Sequence, residues 1–184
     1  MAQLPFDPAT LSAADRALYD RMAERRRSQG APFGGPYAAL MNHPQLCARV
    51  EDLGYYLKFE GHLPRDVYQA VVLTVARRTG AAFEWADHEA AARAAGVPDA
   101  VIEAIREDEA GPDVLPAPYD AAQAVLVATL AWQDIPGDVQ AAAIERFGMR
   151  GFIEIVVLSG FYQMLAAVNR GFAIAPPPGT PAPF

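Results

Sequence analysis

A glutamate and a histidine in the segment TGAAFEWADH, residues 79–88, have the types and the spacing that acid–base chemistry needs. If the segment is helical, Glu84 and His88 lie on the same face, because they are four residues apart. A carboxylate beside an imidazole orients the ring, and the pair can then donate and accept protons near neutral pH. The spacing alone favours an ordinary surface pair at the start of a helix, because short motifs often arise by chance.

The elements that must position this pair are predicted to be two consecutive helices. The run PRDVYQAVVLTVARR, residues 64–78, is apolar on nearly every side, with a proline suited to the first helical position and Gly80 as the stop. This pattern predicts a central, buried helix. The next segment predicts a helix from about Ala82 to Gly96, in which Trp85 would shield the pair from water.

Helix signals recur along the rest of the chain, whereas paired strand runs with hairpin turns are absent. Ser12 followed by Asp15 is a variant of the capping box, and arginines precede the stop at Gly30, where positive charge suits the end of a helix. Together these patterns predict an all-α fold of about eight or nine helices. The tail APPPGTPAPF, residues 175–184, is predicted to be extended polyproline or disordered.

Composition excludes several classes of partner. A net charge of −7 gives no basic field that would attract nucleic acid or an anionic membrane surface. Cys47 is the single cysteine, and the N-terminal segment has no secretion-signal pattern, which together predict a cytoplasmic protein. The apolar stretch 152–168 is shorter than the roughly 20 residues of a membrane span and is predicted to be a buried helix. Its Glu154 is predicted either to face the catalytic pocket or to pair with Arg150 one turn earlier.

Two longer segments carry a family resemblance. The run from GPYAALMNHP to AVIEAI and the later FGMRGFIEIVVLSGFYQMLAAVNRGF resemble the carboxymuconolactone decarboxylase and alkylhydroperoxidase D-like family. The most specific element is the block formed by Thr79, Gly80, Glu84, Trp85 and His88. The resemblance implies an alkylhydroperoxidase D-like helical bundle that assembles as a trimer or hexamer through helix faces. The domain organisation it implies is an N-terminal helix and turn at 1–34, the family domain at 35–172 and a proline-rich tail at 173–184, with a single domain overall.

One branch of that family reduces peroxides with a Cys-x-x-Cys pair and a glutamate on the preceding helix. In this chain Ala81 and Glu84 hold the two cysteine positions, and Gln69 holds the glutamate position. Without a thiolate there is no sulfur nucleophile, and Cys47 has no partner cysteine with which to cycle. The sequence therefore argues against disulfide-based peroxide reduction.

The decarboxylase branch keeps a Glu-x-x-x-His pair, which Glu84 and His88 match. Its substrate is a small carboxylated lactone from aromatic-ring degradation, whose conjugated carbonyl could accept the electrons left by departing carbon dioxide. In this hypothesis His88 is the general acid and Glu84 holds its tautomer and charge. Gln69 either donates a hydrogen bond to the developing oxyanion or is a buried structural amide, and Trp85 and Tyr162 are predicted to bind substrate.

The predicted function is a cofactor-independent lyase or isomerase that transfers protons on a small carboxylated or lactone substrate. The residues after His88 depart from the decarboxylase pattern, so the identity of its substrate does not transfer. Two alternatives remain: a non-catalytic, self-assembling helical protein, and an alkylhydroperoxidase-like antioxidant protein. No cofactor and no metal are expected, since only Glu84 and His88 converge and a metal needs three or more ligands. The expected partners are a small-molecule substrate and further copies of the chain.

Overall fold

The computed structural model describes residues 6–176, 179–180 and 183–184. Within these ranges the chain has helices and turns but no strand, which confirms the all-α prediction. A short 3-10 turn at Pro8–Thr10 and a π-helical turn at Tyr56–Glu60 accompany eight α-helices. These helices are α1 (Ala13–Ser28), α2 (Pro36–Leu40), α3 (Pro44–Tyr55), α4 (Arg65–Thr79), α5 (Ala82–Ala94), α6 (Asp99–Arg106), α7 (Tyr119–Leu130) and α8 (Gly137–Gly171).

The chain divides into two compact units. The first comprises Met1–Glu60 and Val168–Ile174, and the second comprises Gly61–Ala167 and Ala175–Phe184. Helices α1 to α3 belong to the first unit, whereas α4 to α7 and most of α8 belong to the second. The single-domain organisation with boundaries at 34 and 172 stays a prediction.

In the first unit, α1 packs against α3, and α2 also packs against α3. The predicted cap of α1 is confirmed, because the Ser12 side chain accepts a hydrogen bond from the backbone N–H of Asp15. A charged cluster lies between the two longer helices. Glu51 of α3 is fully buried and forms ion pairs with Arg25 and Arg26 of α1, with 3.2 Å between Glu51 Oε1 and Arg26 Nε.

Helix α4 is the centre of the second unit. Every residue from Val67 to Ala76 is buried, and α4 packs against α5, α6 and α7. The helix begins at Arg65, so Pro64 is its N-cap residue and not its first helical residue as predicted. Its last helical residue is Thr79, and the C-cap residue is Gly80, whose φ of 65° lies in the left-handed region that glycine adopts without a side-chain clash. Helix α5 begins two residues later and packs against α4.

Glu154 of α8 fixes the turn that leads into α4. Its carboxylate accepts hydrogen bonds from the backbone N–H groups of His62 (2.8 Å) and Leu63 (3.1 Å), and Oε1 lies 3.1 Å from His62 Nδ1. Arg150 reaches the other side of that ring, with its Nη1 2.9 Å from His62 Nε2. Both predictions for Glu154 are therefore wrong, because its contacts go to the turn before α4 and not to Arg150 or to the residues around His88.

Helix α8 is interrupted at Gly148, where φ is 70° and ψ is 169°. The sequence predicts two separate helices here, GDVQAAAIERFG at 137–148 and RGFIEIVVLSGFYQMLAAVNRG at 150–171, and the non-helical glycine confirms that division. By length and composition, α8 is the one helix in the described part of the chain that could cross a membrane. The core helix of a soluble protein meets the same criterion, and 50% of the most apolar window is buried inside the protein.

Candidate active site

Glu84 and His88 are buried on one face of α5. Their relative exposures are 4% and 2%, and Ala92 continues the same buried stripe one turn later. An ordinary surface pair would be solvated, so that interpretation does not hold for this chain. Burial makes each hydrogen bond and charge near the ring matter more, because little water competes for the polar atoms.

Both nitrogens of the His88 ring have hydrogen-bond partners from other helices. Nδ1 lies 2.7 Å from the side-chain oxygen of Gln69 on α4, and Nε2 lies 3.3 Å from the hydroxyl of Tyr162 on α8. An amide oxygen can only accept, so Nδ1 must carry a proton. In the neutral ring Nε2 is then unprotonated and accepts a hydrogen bond from the Tyr162 hydroxyl.

A second tyrosine continues this network. The hydroxyl oxygens of Tyr68 and Tyr162 are 2.5 Å apart, and both side chains are buried. Tyr68 lies on α4, next to Gln69 in sequence, and its ring centre is 6.2 Å from that of His88. Three site residues predicted from the sequence, Gln69, His88 and Tyr162, therefore lie together in the structure. Tyr68 belongs to the same network and was not predicted from the sequence.

The amide nitrogen of Gln69 is a buried donor with no acceptor among the described protein groups. Leaving such a donor unsatisfied costs about 1–3 kcal/mol, so native proteins keep few of them. The amide oxygen already holds His88, and the nitrogen therefore remains available to an oxygen atom of a bound molecule. This observation favours the oxyanion-donor interpretation of Gln69 over a purely structural amide.

Asp87 contributes a carboxylate at the edge of this group. Its Oδ2 lies 3.6 Å from His88 Nε2, and its side chain is partly exposed. A protonated ring would pair with this carboxylate, which stabilises the imidazolium form by direct attraction.

Trp85 is fully buried, and its described contacts belong to a different cluster. The indole N–H donates to Glu89 Oε2 over 2.8 Å, and the Arg106 guanidinium lies 4.9 Å from the indole ring centre. Burial opposes ionisation of Glu89, but hydrogen bonds from Arg93, Trp85 and Arg106 outweigh it and lower the pKa of that carboxyl. A substrate-binding role for Trp85 stays a prediction.

The end of the described tail packs on this second cluster. The Phe184 ring meets Trp85 edge-on with 5.6 Å between ring centres, and the Arg77 guanidinium lies 5.0 Å from the Phe184 ring centre. The carbonyl of Pro183 accepts a hydrogen bond from Arg106 Nη1 over 3.0 Å. The described tail residues form no helix, as predicted, whereas the part of the tail prediction that covers 177–178 and 181–182 lies outside the described residues.

Cys47 lies in the first unit and is fully buried. Its thiol donates to the carbonyl of Tyr37 over 3.4 Å. Burial, reinforced by the negative charge of Glu51, raises the pKa of this thiol to about 12. The reactive thiolate is therefore scarce at neutral pH, which argues against a peroxide-reducing role.

Other kinds of site leave few signs in the described residues. No group of three or more His, Cys, Asp or Glu side chains is arranged there to hold a metal ion. A cavity of about 400 Å³ opens in the second unit, and the residues that line it do not include Glu84, His88 or their partners named above. Its lining comprises Arg78, Gln123, Val127, Leu130 and Ala131.

Comparison with known proteins agrees with the predicted family and fold. Residues 44–126 match the model of the carboxymuconolactone decarboxylase family, which confirms the resemblance. The crystal structure of the debrominase Bmp8 in its apo form is similar, with a TM-score of 0.70, 15% sequence identity, and coverage of 94% of this chain and 91% of that chain.

A second similar structure is a cysteine-to-alanine variant of the same debrominase in complex with 2,3,4-tribromopyrrole. It has a TM-score of 0.66 and 14% identity, with the same coverage of 94% and 91%. At these identities the likeness shows the fold, and it confirms the predicted helical bundle. No curated protein matches the chain at a significant level.

Proposed function

We propose that this chain, whose residues 44–126 match the model of the carboxymuconolactone decarboxylase family, is a cofactor-independent lyase or isomerase that transfers protons on a small carboxylated or lactone substrate from aromatic-compound degradation. The observation that carries this proposal is the buried His88 ring, whose tautomer is set by Gln69 and Tyr162. A ring fixed in this way has one nitrogen committed to donating and one that gains or loses a proton.

The reaction class follows from what this group of residues supplies. Removing or replacing a proton next to a carbonyl needs a base, an acid and a donor to the oxygen that becomes negative. His88 supplies the proton exchange, and the buried carboxylate of Glu84 on the same helix face supports the positive charge that the ring gains. The free N–H groups of Gln69 supply the donor to the oxyanion.

Exchange of carbon-bound hydrogen with deuterated water tests this proposal, because it detects proton transfer on a substrate whose final product is not identified. The panel comprises carboxylated lactones and related carbon acids, together with halogenated aromatics, because the similar debrominase is described in complex with a brominated pyrrole. We expect His88→Gln to lower the exchange rate about 10²–10⁴-fold, the usual contribution of a general acid or base.

The matched control is His62→Gln, which removes a half-exposed ring bonded to Glu154 in the same unit. We expect it to keep exchange within about twofold of the wild type, because His62 contacts none of the described partners of His88. Wild-type exchange that survives His88→Gln unchanged would remove the catalytic role and leave the non-catalytic helical protein as the better description.

We further propose that the chain is cytoplasmic and assembles with copies of itself. An exposed apolar face on α8, formed by Met149, Ile153, Val157 and Met164, supports the assembly. These residues recur at four- and seven-residue spacing, so they form one stripe along the helix. Light scattering should report a trimer or hexamer for the wild type and smaller species for Val157→Arg, and a monomeric wild type contradicts the assembly.

A further inference from the structure

Hydrogen bonds to other side chains engage both ring nitrogens of His88. Nδ1 is held by Gln69, and Nε2 meets the hydroxyl of Tyr162 at 3.3 Å. Beyond Tyr162 the hydroxyl of Tyr68 follows at 2.5 Å. A proton that leaves or reaches Nε2 therefore has a phenol as its nearest exchange partner.

The proton state of His88 sets the direction of both hydrogen bonds. A tyrosine hydroxyl has one proton and can donate only one hydrogen bond. When the ring is neutral, Tyr162 must donate to Nε2, and Tyr68 must then donate to Tyr162. When the ring is protonated at Nε2, it donates to Tyr162, which is nearer at 3.3 Å than the Asp87 carboxylate at 3.6 Å, and Tyr162 donates to Tyr68. The two states differ by one proton and by the reversal of the chain.

We propose that Tyr68 and Tyr162 form a two-hydroxyl proton wire to His88, and that the Tyr68 hydroxyl is the group that exchanges a proton with the substrate. This inference rests on the proposed function. In the donating direction, the O–H bond of Tyr68 breaks while a C–H bond forms on the substrate. The proton of Tyr162 passes to Tyr68 and that of Nε2 passes to Tyr162. The net change is one proton transferred from the imidazolium to carbon, and the neutral hydrogen-bonding pattern results.

Two neighbours suit a transfer that passes through Tyr68. The Arg65 guanidinium lies 5.2 Å from the centre of its ring, where a cation stabilises the negative charge that develops as the phenol gives up its proton. Gln69, the adjacent residue of α4, has the buried amide nitrogen without an acceptor. The arrangement fits a substrate with an ionisable C–H bond next to a carbonyl. The carbonyl oxygen would accept a hydrogen bond from the Gln69 amide, and the Tyr68 hydroxyl would exchange a proton with the carbon.

The test uses Tyr68→Phe, Tyr162→Phe and the double variant, each measured in the deuterium-exchange assay and by NMR of nitrogen-labelled histidine rings. Phenylalanine keeps the ring and removes only the hydroxyl. Tyr119→Phe is the matched control, since Tyr119 is a buried tyrosine of the same unit whose hydroxyl donates to Asp66 over 2.9 Å. His88→Gln assigns the His88 resonances.

We expect Tyr68→Phe and Tyr162→Phe each to slow exchange at least about 100-fold, within the range of a lost proton donor, while Tyr119→Phe stays within about twofold. The Nε2 resonance of His88 should shift in Tyr162→Phe and shift less in Tyr68→Phe. In the double variant it should match Tyr162→Phe alone, because the Tyr68 hydroxyl bonds to the hydroxyl of Tyr162, which in turn bonds to the ring nitrogen.

The outcomes separate the wire from the proposed function. Exchange that depends on His88 but continues at the wild-type rate in Tyr68→Phe overturns the wire and leaves the proposed function intact. Additive shifts of the Nε2 resonance in the double variant also overturn the wire. If no substrate of the panel exchanges in the wild type, the proposed function fails, and the NMR coupling between Tyr68 and His88 still decides whether the wire exists.

Discussion

Glu51 and His88 are both buried polar side chains, but the groups that surround them differ in kind. Glu51 has no exposed surface and pairs with two arginines, Arg25 and Arg26. His88 is 2% exposed, and the amide of Gln69 and the phenol of Tyr162 bond its ring nitrogens. Arginine keeps its proton throughout the accessible pH range, whereas imidazole and phenol exchange theirs.

The cluster around Glu51 therefore carries fixed charges, whereas the network around His88 contains a proton that can move. Around Glu51 the charges are permanent, and the guanidinium groups of Arg25 and Arg26 also lie 4.1 Å and 4.2 Å from the ring centres of Tyr55 and Tyr37. Such a cluster holds α1 against α3 and offers nothing to a reaction. On the Nε2 side of His88 the hydrogen bonds through Tyr162 to Tyr68 reverse when one proton moves, and the buried donor of Gln69 remains to be satisfied. The first cluster stabilises the fold, and the second is suited to chemistry.

The largest effect that tests this comparison is expected from Glu51→Gln. Removing one partner of a buried ion pair leaves uncompensated charge and typically costs about 3–5 kcal/mol of unfolding free energy. Urea denaturation measures the loss. Exchange activity per folded molecule should stay at the wild-type level, because Glu51 belongs to the first unit and His88 to the second.

Asp52→Asn is the matched control for Glu51→Gln. Asp52 also pairs with Arg25, over 3.0 Å, but its side chain is 75% exposed. Exposed pairs contribute about 0–1 kcal/mol, since water screens them. Equal losses of unfolding free energy in the two variants would show that the buried ion pair of Glu51 contributes no more to stability than a surface pair does.

A smaller effect on stability, with a clear effect on activity, is expected from Gln69→Leu. The variant loses the hydrogen bond to His88 Nδ1, worth about 0.5–1.5 kcal/mol, but it also removes a buried donor that has no acceptor. These terms offset, so unfolding free energy should change by about 1 kcal/mol or less. Exchange should fall about 10-fold or more, because the ring loses its tautomer control and the substrate loses a donor.

Urea denaturation and the deuterium assay on the same preparation check both parts. A stability loss as large as that of Glu51→Gln, with exchange unchanged, would make Gln69 a structural amide and place both clusters in the same class. His62→Gln again controls for the removal of a polar side chain in the second unit.

The sequence predicts the helices of the site well because their signals are local. The apolar run of α4, the stop at Gly80 and the start of α5 all follow from neighbouring residues, and so does the break at Gly148. The one-turn spacing of Glu84 and His88 also follows directly from helix geometry. These features require no information on which helices meet.

The partners of the site depend on tertiary packing, which local signals do not specify. Helix α4 is buried on every side from Val67 to Ala76, so its pattern does not indicate that Tyr68 faces His88. The one sequence signal for Tyr68 as a partner of His88 is its hydroxyl group next to Gln69 in a mainly apolar helix. Glu154 bonds to His62 and Leu63 over about 90 residues of sequence, and the nearer Arg150 suggests a different partner.

At neutral pH the smallest effect on stability is expected from Cys47, which lies beside the charged cluster of the first unit and whose thiol is un-ionised there in both the folded and the unfolded chain. Burial and the charge of Glu51 raise the pKa of this thiol from its ordinary 9.0 to about 12. The folded protein therefore keeps the thiol neutral where the unfolded chain ionises. This contribution to stability is complete below about pH 9 and is lost as pH rises towards about 12.

Cys47→Ala should therefore flatten part of the fall in unfolding free energy between about pH 9 and pH 12, measured by urea denaturation at several pH values. Tyr119→Phe controls for the phenol of the second unit, whose pKa burial and its hydrogen bond to Asp66 raise to about 12. In Glu51→Gln the negative charge beside the thiol is absent, so the ultraviolet absorbance of the Cys47 thiolate in the folded protein should appear at lower pH than in the wild type. Identical pH profiles of thiolate absorbance in the two proteins would mean that the charge of Glu51 acts on α1 alone and does not reach Cys47 on α3.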